Sequence, residues 1–394
     1  MSHSHRFAEL TALLRQHERY WRMSPFVHPT PAWCGENSAL ASDCIDLPDA
    51  ALATLEADPY ALQIWLQTRL PMLASLPELL KLPRAVHTAT ALPNQWAVAI
   101  PGRKWQQIAA FAGQSPHHAG CLLDWCSGKA HLGRTLAQLR QQSLVAVERD
   151  RTLCAEGGAL ATHVGISAQF VCADVLKEPV DLPANAQVLA LHACGDLHRT
   201  LLRRIAQHPV AALVLAPCCY HLWLRENYSP LSEMAQAGDL SLDRNSVQLA
   251  VQEAVTSSDR IRARTATLAA WRLGFDSLQR ELRGKDDYLT TPSLPQSVLQ
   301  DGFEAVCRRI AGHKKLLVPA AIDWPHFQIL GEQRYRRAQR LQLVRHGFRR
   351  AIELWLVLDL ALYLEQAGYQ VELTEFCARE LTPRNLLLSA SRNP

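Results

Sequence analysis

The stretch that decides the fold is Asp124-Trp-Cys-Ser-Gly-Lys-Ala-His-Leu-Gly133. It follows the apolar run Cys121-Leu-Leu and opens a helix-compatible segment, and Glu148 stands twenty residues beyond Gly128. A short strand, a tight glycine-bearing turn, a helix and a later acid at a strand end describe a nucleotide-binding βαβ unit. The acid matters because one carboxylate can accept hydrogen bonds from both hydroxyls of a ribose. The stretch therefore points to an enzyme that uses a nucleotide-like cofactor.

Working outward, apolar runs at 121–124, 144–148, 169–173, 187–192 and 210–216 alternate mostly with helix-compatible segments. Such alternation predicts a parallel sheet covered on both faces, with right-handed crossovers that gather the carboxyl ends of five strands on one rim. Residues 223–350 interrupt the rhythm with a long, mostly helical, arginine-bearing insertion. The rhythm resumes with a helix at 351–367 and strands at Tyr369–Phe376 and Asn385–Ser391, whose short connection predicts an antiparallel hairpin at the sheet edge. Residues 1–110 read as a helical accessory domain. The spacing of Leu62, Trp65, Leu66, Leu70, Leu73 and Leu76 is helical, and Pro71 and Pro77 should kink or end that pattern, which is compatible equally with two short helices and with one. The expected organisation is a helical domain at 1–110, a core at 111–222, a basic insertion at 223–350 and completion of the core at 351–394.

The bulk numbers agree with a globular protein. The chain has 394 residues, 48% hydrophobic and 20% charged, which excludes wholesale disorder. A net charge of +4 is too small to identify a nucleic-acid partner by itself. Eleven cysteines, an odd number, lie within or beside apolar runs or directly adjacent at Cys218-Cys219, which fits reduced thiols and a cytoplasmic location. The longest apolar candidate, Ile352 to Leu364, is short and interrupted by Glu353 and Asp359, so no membrane partner is expected.

Four segments carry a family resemblance. Asp124-x-Cys-x-Gly-Lys-x-His-Leu-Gly133 resembles the first motif, DxCxGKGHL, of a branch of class I S-adenosylmethionine-dependent methyltransferases. His192-Ala-Cys-Gly-Asp-Leu197 and Cys218-Cys-Tyr-His221 resemble its fourth- and fifth-strand motifs, and Thr382-Pro-Arg-Asn385 its last turn. The resemblance covers roughly residues 115–222 and 351–392, and Ala130 stands where the branch usually has glycine. It implies a Rossmann-like seven-stranded α/β sheet with a terminal antiparallel hairpin. It also implies S-adenosyl-L-methionine as cofactor, held by Asp124, Cys126, Gly128, Lys129, His131, Leu132, Glu148, Asp174 and His192. Within that set Asp124 would lie by the amino-acid moiety, Glu148 at the ribose and Asp174 at the adenine amine. Taken one at a time, these acids read equally well as a helix cap, a solvated strand end and a turn former. A dehydrogenase ranks below a methyltransferase, because the turn is not G-x-G-x-x-G and a pyrophosphate requires that glycine approach.

His192 and Cys194 share one side of an extended segment, and Cys218, Cys219, Tyr220 and His221 follow the adjacent strand. With Asp196 they form the candidate catalytic set. In one reading His192 or His221 is a general base. In another, Cys194 and Cys218 or Cys219 serve C5 methylation of a pyrimidine, although the proline-cysteine pair Pro217-Cys218 falls on the fifth strand instead of the fourth. Zinc ligation is a third reading. With adjacent cysteines and no C-x-x-C the spacing is not that of a usual zinc site, so no metal is expected. Packing is the fourth reading, and it is favoured for any single cysteine.

The segment 334–350 has seven arginines and no acid. Arg334, Arg336, Arg337 and Arg340 are candidate contacts to RNA phosphates, with a solvated helix face as the alternative. The expected enzyme is a methyltransferase of tRNA or rRNA, for which the resemblance implies ribose 2′-oxygen as the first acceptor and pyrimidine C5 as the next. A protein or small-molecule acceptor, or a non-catalytic binding protein, remain as alternatives.

Overall fold

The computed structural model describes residues 1–84, 92–97, 100–224, 226–253 and 258–392. It divides into two compact units. One comprises Met1–Gln16, Leu76–Val255 and Arg349–Pro394, and the other His17–Ser75 and Thr256–Phe348.

The first unit is built on a seven-stranded sheet: β1 (Leu122–Trp125), β2 (Leu144–Glu148), β3 (Ala168–Cys172), β4 (Gln187–Cys194), β5 (Ala212–Cys218), β6 (Gln370–Glu375) and β7 (Leu386–Ser391). Its order is β3-β2-β1-β4-β5-β7-β6. The first five strands run parallel, and β7 lies antiparallel to both β5 and β6, which is the terminal hairpin expected from the sequence. Every residue of β1 and β5 is buried, so burial does not alternate along these strands. The order reverses between β1 and β4, and the crevice outside their carboxyl ends is where such sheets bind ligands.

Six helices of this unit matter here: α1 (His3–Gln16), α2 (Gly102–Gln114), α3 (His131–Arg140), α4 (Arg151–His163), α5 (Asp196–Gln207) and α6 (Arg349–Gln366). Ile108, Phe111 and Ala112 of α2 join Leu132 and Leu136 of α3 in one core cluster over the sheet. Phe7 of α1 stacks against Trp355 of α6 at 5.1 Å between ring centroids, and the Trp355 indole donates to Thr11 Oγ1. Residues 1–110 therefore do not separate as one accessory domain. The apolar faces of α1 and α2 complete the cover of the sheet unit, and helical periodicity does not say which partner a face will find.

The second unit is helical. Asp259–Arg283 and Trp324–His346 are its long helices. Leu268, Trp271, Phe275 and Leu278 pack with Val306, Ile310 and Phe327 in its core. As the prolines imply, the apolar stretch after residue 58 is broken into the helix Pro59–Gln67, a 3₁₀ turn Pro71–Leu73 and the helix Leu76–Leu80. The last of these falls in the sheet unit.

The two acids that interrupt the apolar face of α6 are both buried. Glu353 pairs with Arg350 at 2.7 Å. Asp359 accepts from the Tyr228 hydroxyl (2.7 Å), the backbone N–H groups of Leu231 and Ser232, and the Ser232 hydroxyl. It thereby anchors the loop that follows β5. Among the described residues no helix is long and apolar enough to cross a membrane. Replacing Asp359 with leucine keeps most of the volume but leaves four donors unpaired, so unfolding in urea should show a loss of about 3 kcal/mol or more. A loss below about 1 kcal/mol would show that the loop finds other partners.

Candidate active site

The carboxyl-end rim is assembled from the turn after β1, the ends of β2 and β3, and the strained exits of β4 and β5. Gly128 has φ +58°, and a Cβ built on it would meet nothing within 4 Å. The turn is thus open above the glycine, which leaves room for a ligand to approach the backbone. Cys126 and Ala130 also have positive φ, at 57° and 52°. The conformation at 130 is one that glycine enters without steric cost, which accounts for glycine being usual there.

Asp124 is buried at the end of β1 and accepts from the Gly133 N–H at 2.9 Å. A Cβ on Gly133 would lie 2.9 Å from that carboxylate, so only glycine lets α3 come this close to β1. Burial raises the Asp124 pKa to about 7, against the lowering effects of the Gly133 N–H and of Lys104. Glu148 at the end of β2 accepts from the Gly128 N–H at 2.9 Å with one oxygen and from the N–H groups of Arg149 and Asp150 with the other. It ties the tip of β2 to the turn after β1. A carboxylate has about four lone-pair directions, so acceptor capacity remains for hydroxyls. Asp174, after β3, accepts from the Leu176 N–H and pairs with Lys177 at 3.3 Å. Lys129 pairs with Glu156.

Several expected contacts lie elsewhere. Leu132 is buried in the sheet core. His131 is also buried, with Nδ1 2.8 Å from Arg134, and burial with the nearby cations of Lys104, Arg134 and Lys129 lowers its pKa to about 4. Both point inward because α3 turns its first apolar face to the sheet. Tyr220 is buried, its hydroxyl donating to Glu353 at 3.4 Å, and Asp196 pairs with the buried Arg199 at 2.7 Å. Tyr220 therefore belongs to the core, and Asp196 anchors the start of α5.

The side chains that do converge are Cys194, Cys218 and Cys219, and Cys219 acts electrostatically on His192. The three sulfur atoms all lie within 4.8 Å of one another, and Cys194 Sγ is 3.3 Å from Cys218 Sγ. His192 Nε2 is 2.8 Å from Gln107 Oε1. The Gln107 amide nitrogen donates to the Leu381 carbonyl at 3.4 Å, which turns its oxygen towards the imidazole. Nε2 must then carry the proton, and Nδ1 is left as the acceptor. His192 keeps an accessible face although much protein surrounds it; that surrounding, and then the Lys104 cation, lower its pKa and hold it neutral. For proton transfer the accessible face is what counts. His221 is half-buried, with a lowered pKa from burial, and its Nδ1 has no hydrogen-bond partner among the described residues.

Three residues here had no signature in the sequence reading, and a fourth, Arg384, sat in the quoted last turn without a role. Gln107 and Lys104 come from α2, before the first strand, and only the fold brings them to the rim. Arg384, in the last turn, acts electrostatically on Cys219 and is fixed by the carbonyls of Val251 and Glu253. Trp223 directly follows the Cys-Cys-Tyr-His-Leu segment, a position that could have flagged it. It is 49% exposed with φ +67°, and the Arg149 guanidinium lies 5.9 Å from its ring centroid.

The arginine run behaves differently from a solvated basic patch. Arg334 pairs with the buried Asp276 at 2.8 Å, Arg337 donates to the Pro29 carbonyl, and Arg340 reaches the Leu47 carbonyl and Asp49. Arg345 donates to the Trp21 carbonyl from a buried position. Within the helical unit these side chains bind their own backbone and acids, and of the four proposed phosphate contacts only Arg336 is exposed. A run without acids finds its acceptors from distant segments, which composition does not reveal.

Residues 103–226 match the family described as a methyltransferase domain. Similar solved structures include a tRNA (uracil-54, C5)-methyltransferase of Pyrococcus abyssi in complex with S-adenosyl-L-homocysteine, at 18% identity and TM-score 0.24, covering 29% of this chain and 28% of that one. An RNA methyltransferase of Salinibacter ruber with the same ligand is similar at 14% identity and TM-score 0.24, over 33% of this chain and 84% of that one. A protein of the NADB-Rossmann superfamily from Streptococcus agalactiae is similar at 16% identity and TM-score 0.24, over 55% and 96%. The chain thus spans little more than a quarter of the Pyrococcus protein, and similarity of this degree says nothing about substrate.

The raised pKa of Asp124 has a signed consequence. Its folded value of about 7 lies above the ordinary carboxylate value near 4, so its stabilising contribution is present below about pH 4 and is lost as pH rises to 7. Asp124→Asn keeps an acceptor for Gly133 and removes the titration. Denaturation at a series of pH values should show the variant gaining on wild type between pH 4 and 7; a constant difference would mean that Asp124 titrates normally.

Proposed function

We propose, with the methyltransferase domain at residues 103–226 as the premise, that this chain transfers a methyl group from S-adenosylmethionine to a hydroxyl of a nucleic acid, the ribose 2′-oxygen of an RNA. The cofactor supplies an electrophilic methyl on a sulfonium. The open turn at Gly128 fits its methionine end, Glu148 its ribose and Asp174 its adenine amine, while Asp124 and Lys129 flank the amino-acid end.

The observation that carries the acceptor reading is His192. It is a neutral imidazole at the end of β4 whose tautomer is set by Gln107 and whose Nδ1 is free to accept. A hydroxyl is a poor nucleophile until its proton is removed, and a positioned neutral histidine removes it at neutral pH. Gln107 acts through His192 as a positioning residue. Trp223 favours a planar substrate. A bulky residue held at positive φ with half its surface exposed is costly, and such strain collects at functional sites. Its ring offers a stacking face for a base, and stacking of this kind is worth about 1–3 kcal/mol. Arg336, Arg260 and Lys315 are among the cations of the helical unit exposed at the surface for phosphate contact.

A second reading is C5 methylation of a pyrimidine. It is favoured by Cys219 at the rim, whose pKa is lowered by hydrogen bonds from Cys194 and then Cys218 against the effect of burial. The engagement of most of the arginine run favours a third reading, a protein or small-molecule acceptor.

Incubating the purified protein with tritiated S-adenosylmethionine and total RNA or total protein from cells lacking the gene separates these readings. Label at a ribose oxygen supports the proposal, label at a base carbon moves it to C5, and label in protein alone overturns RNA. Calorimetric titration should show Glu148→Ala and Asp174→Ala each weakening cofactor binding by about tenfold; unchanged affinity in both would remove the cofactor assignment. His192→Ala should lower kcat by roughly 100-fold or more with little change in cofactor affinity. Gln107→Leu should lower kcat less and alter the pH profile, because either tautomer of His192 is then populated. If Gln107→Leu alters only stability, it has no positioning role.

A further inference from the structure

We propose that Cys194, Cys218 and Cys219 form a thiolate site for a thiophilic divalent cation, with zinc the first candidate. Neither the cofactor nor the acceptor reading needs such a site, and the adjacency of Cys218 and Cys219 argued against it at the level of spacing. Two observations support it.

The backbone departs from regular strand geometry at the points that gather the sulfur atoms. β4 and β5 pair in register up to Leu191 with Ala216, and the next pair is Cys194 with Cys218. β4 thus advances three residues while β5 advances two. Without that extra residue Ala193 would stand opposite Cys218. The bulge carries His192 at φ +68°, and Gly195 follows it at φ +55°. On the other strand, Cys219 has φ +45°. Consecutive side chains of a strand point to opposite faces, so a regular backbone would part the sulfur atoms of Cys218 and Cys219. The left-handed turn at Cys219 folds them together, and non-glycine residues hold such a conformation only where the surroundings enforce it.

The distances suit one small cation. Tetrahedral zinc with Zn–S bonds of about 2.3 Å places its sulfur ligands about 3.8 Å apart. The sulfur atoms here span this value, from 3.3 Å between Cys194 and Cys218 to no more than 4.8 Å for any pair. Cys218 is buried while Cys194 and Cys219 are half-buried, so the cluster has a closed floor and an open side. His221 lies two residues beyond Cys219 in sequence, and its buried Nδ1 has no hydrogen-bond partner among the described residues.

The test uses the full-length, untagged chain, reduced and then freed of metal with a chelator. Adding zinc should give one equivalent bound per chain by elemental analysis. Adding cobalt(II) alone should produce the near-ultraviolet charge-transfer band of thiolate ligation. Cys194→Ser and Cys219→Ser should each weaken binding by more than about 100-fold, and Cys218→Ser likewise if it folds. Cys172→Ser, an exposed cysteine outside the cluster, should bind as wild type does. Far-ultraviolet dichroism of each variant separates loss of ligand from loss of fold. Failure of the reduced wild-type chain to bind either metal would overturn the proposal. So would a band that survives in the Cys194→Ser, Cys219→Ser double variant, or recovery of the chain with a Cys194–Cys218 disulfide and no metal uptake after reduction. Because metal content is read without methyl transfer, failure here leaves the methyltransferase reading standing, and the converse also holds.

Discussion

The active-site rim depends on one extra residue in β4. Between Leu191 and Cys194 the strand bulges against β5, and this single slip sets which side chains face the crevice. It turns His192 outward to meet Gln107, and it moves Cys194 from a neighbouring position to one opposite Cys218. A bulge interrupts a ladder and leaves one residue unpaired, so a sheet keeps it only where the re-aimed side chains matter. The chain closes around it: the N–H of Gly195 donates to the Cys218 carbonyl, and a side chain at 195 would collide with the Leu222 carbonyl 2.1 Å away. The exits of β4 and β5 are thus locked to each other.

Carboxylates that accept from backbone N–H groups supply the second constraint. Asp124 binds the N–H of Gly133, Glu148 that of Gly128, and Asp359 those of Leu231 and Ser232. Each uses a negative group to satisfy backbone donors where the chain turns sharply, and each thereby fixes a loop relative to a strand or helix. A carboxylate removed from water is costly unless its oxygens are satisfied, which ties loop geometry to electrostatics. At Asp124 desolvation outweighs the hydrogen bond and the pKa rises. The same group that shapes the turn can therefore respond to a cation placed beside it.

The sheet was legible because its physics is local. Five apolar runs separated by helical segments admit few arrangements other than a parallel sheet, and a short final connection admits an antiparallel return. The acids at the ends of β1, β2 and β3 were legible for the same reason. Other parts were not. Arg334, Arg337, Arg340 and Arg345 read as a basic surface, yet their acceptors are Asp276 and backbone carbonyls from residues far away in sequence. Leu132 and His131 sit in a motif but point inward, because the helix they begin must turn its apolar face to the sheet. Gln107 and Lys104 lie outside every motif.

The amino-acid sequence alone determined the alternating architecture, the position of the nucleotide-type turn and the order of the strands' acidic ends, since these follow from periodicity and spacing within single segments. Tertiary structure alone decided which tautomer His192 adopts, that three cysteines from two strands become one cluster, and that most of the arginine run faces inward. Those outcomes depend on pairings between segments as far apart as Gln107 and His192, and on a one-residue slip that no periodicity encodes.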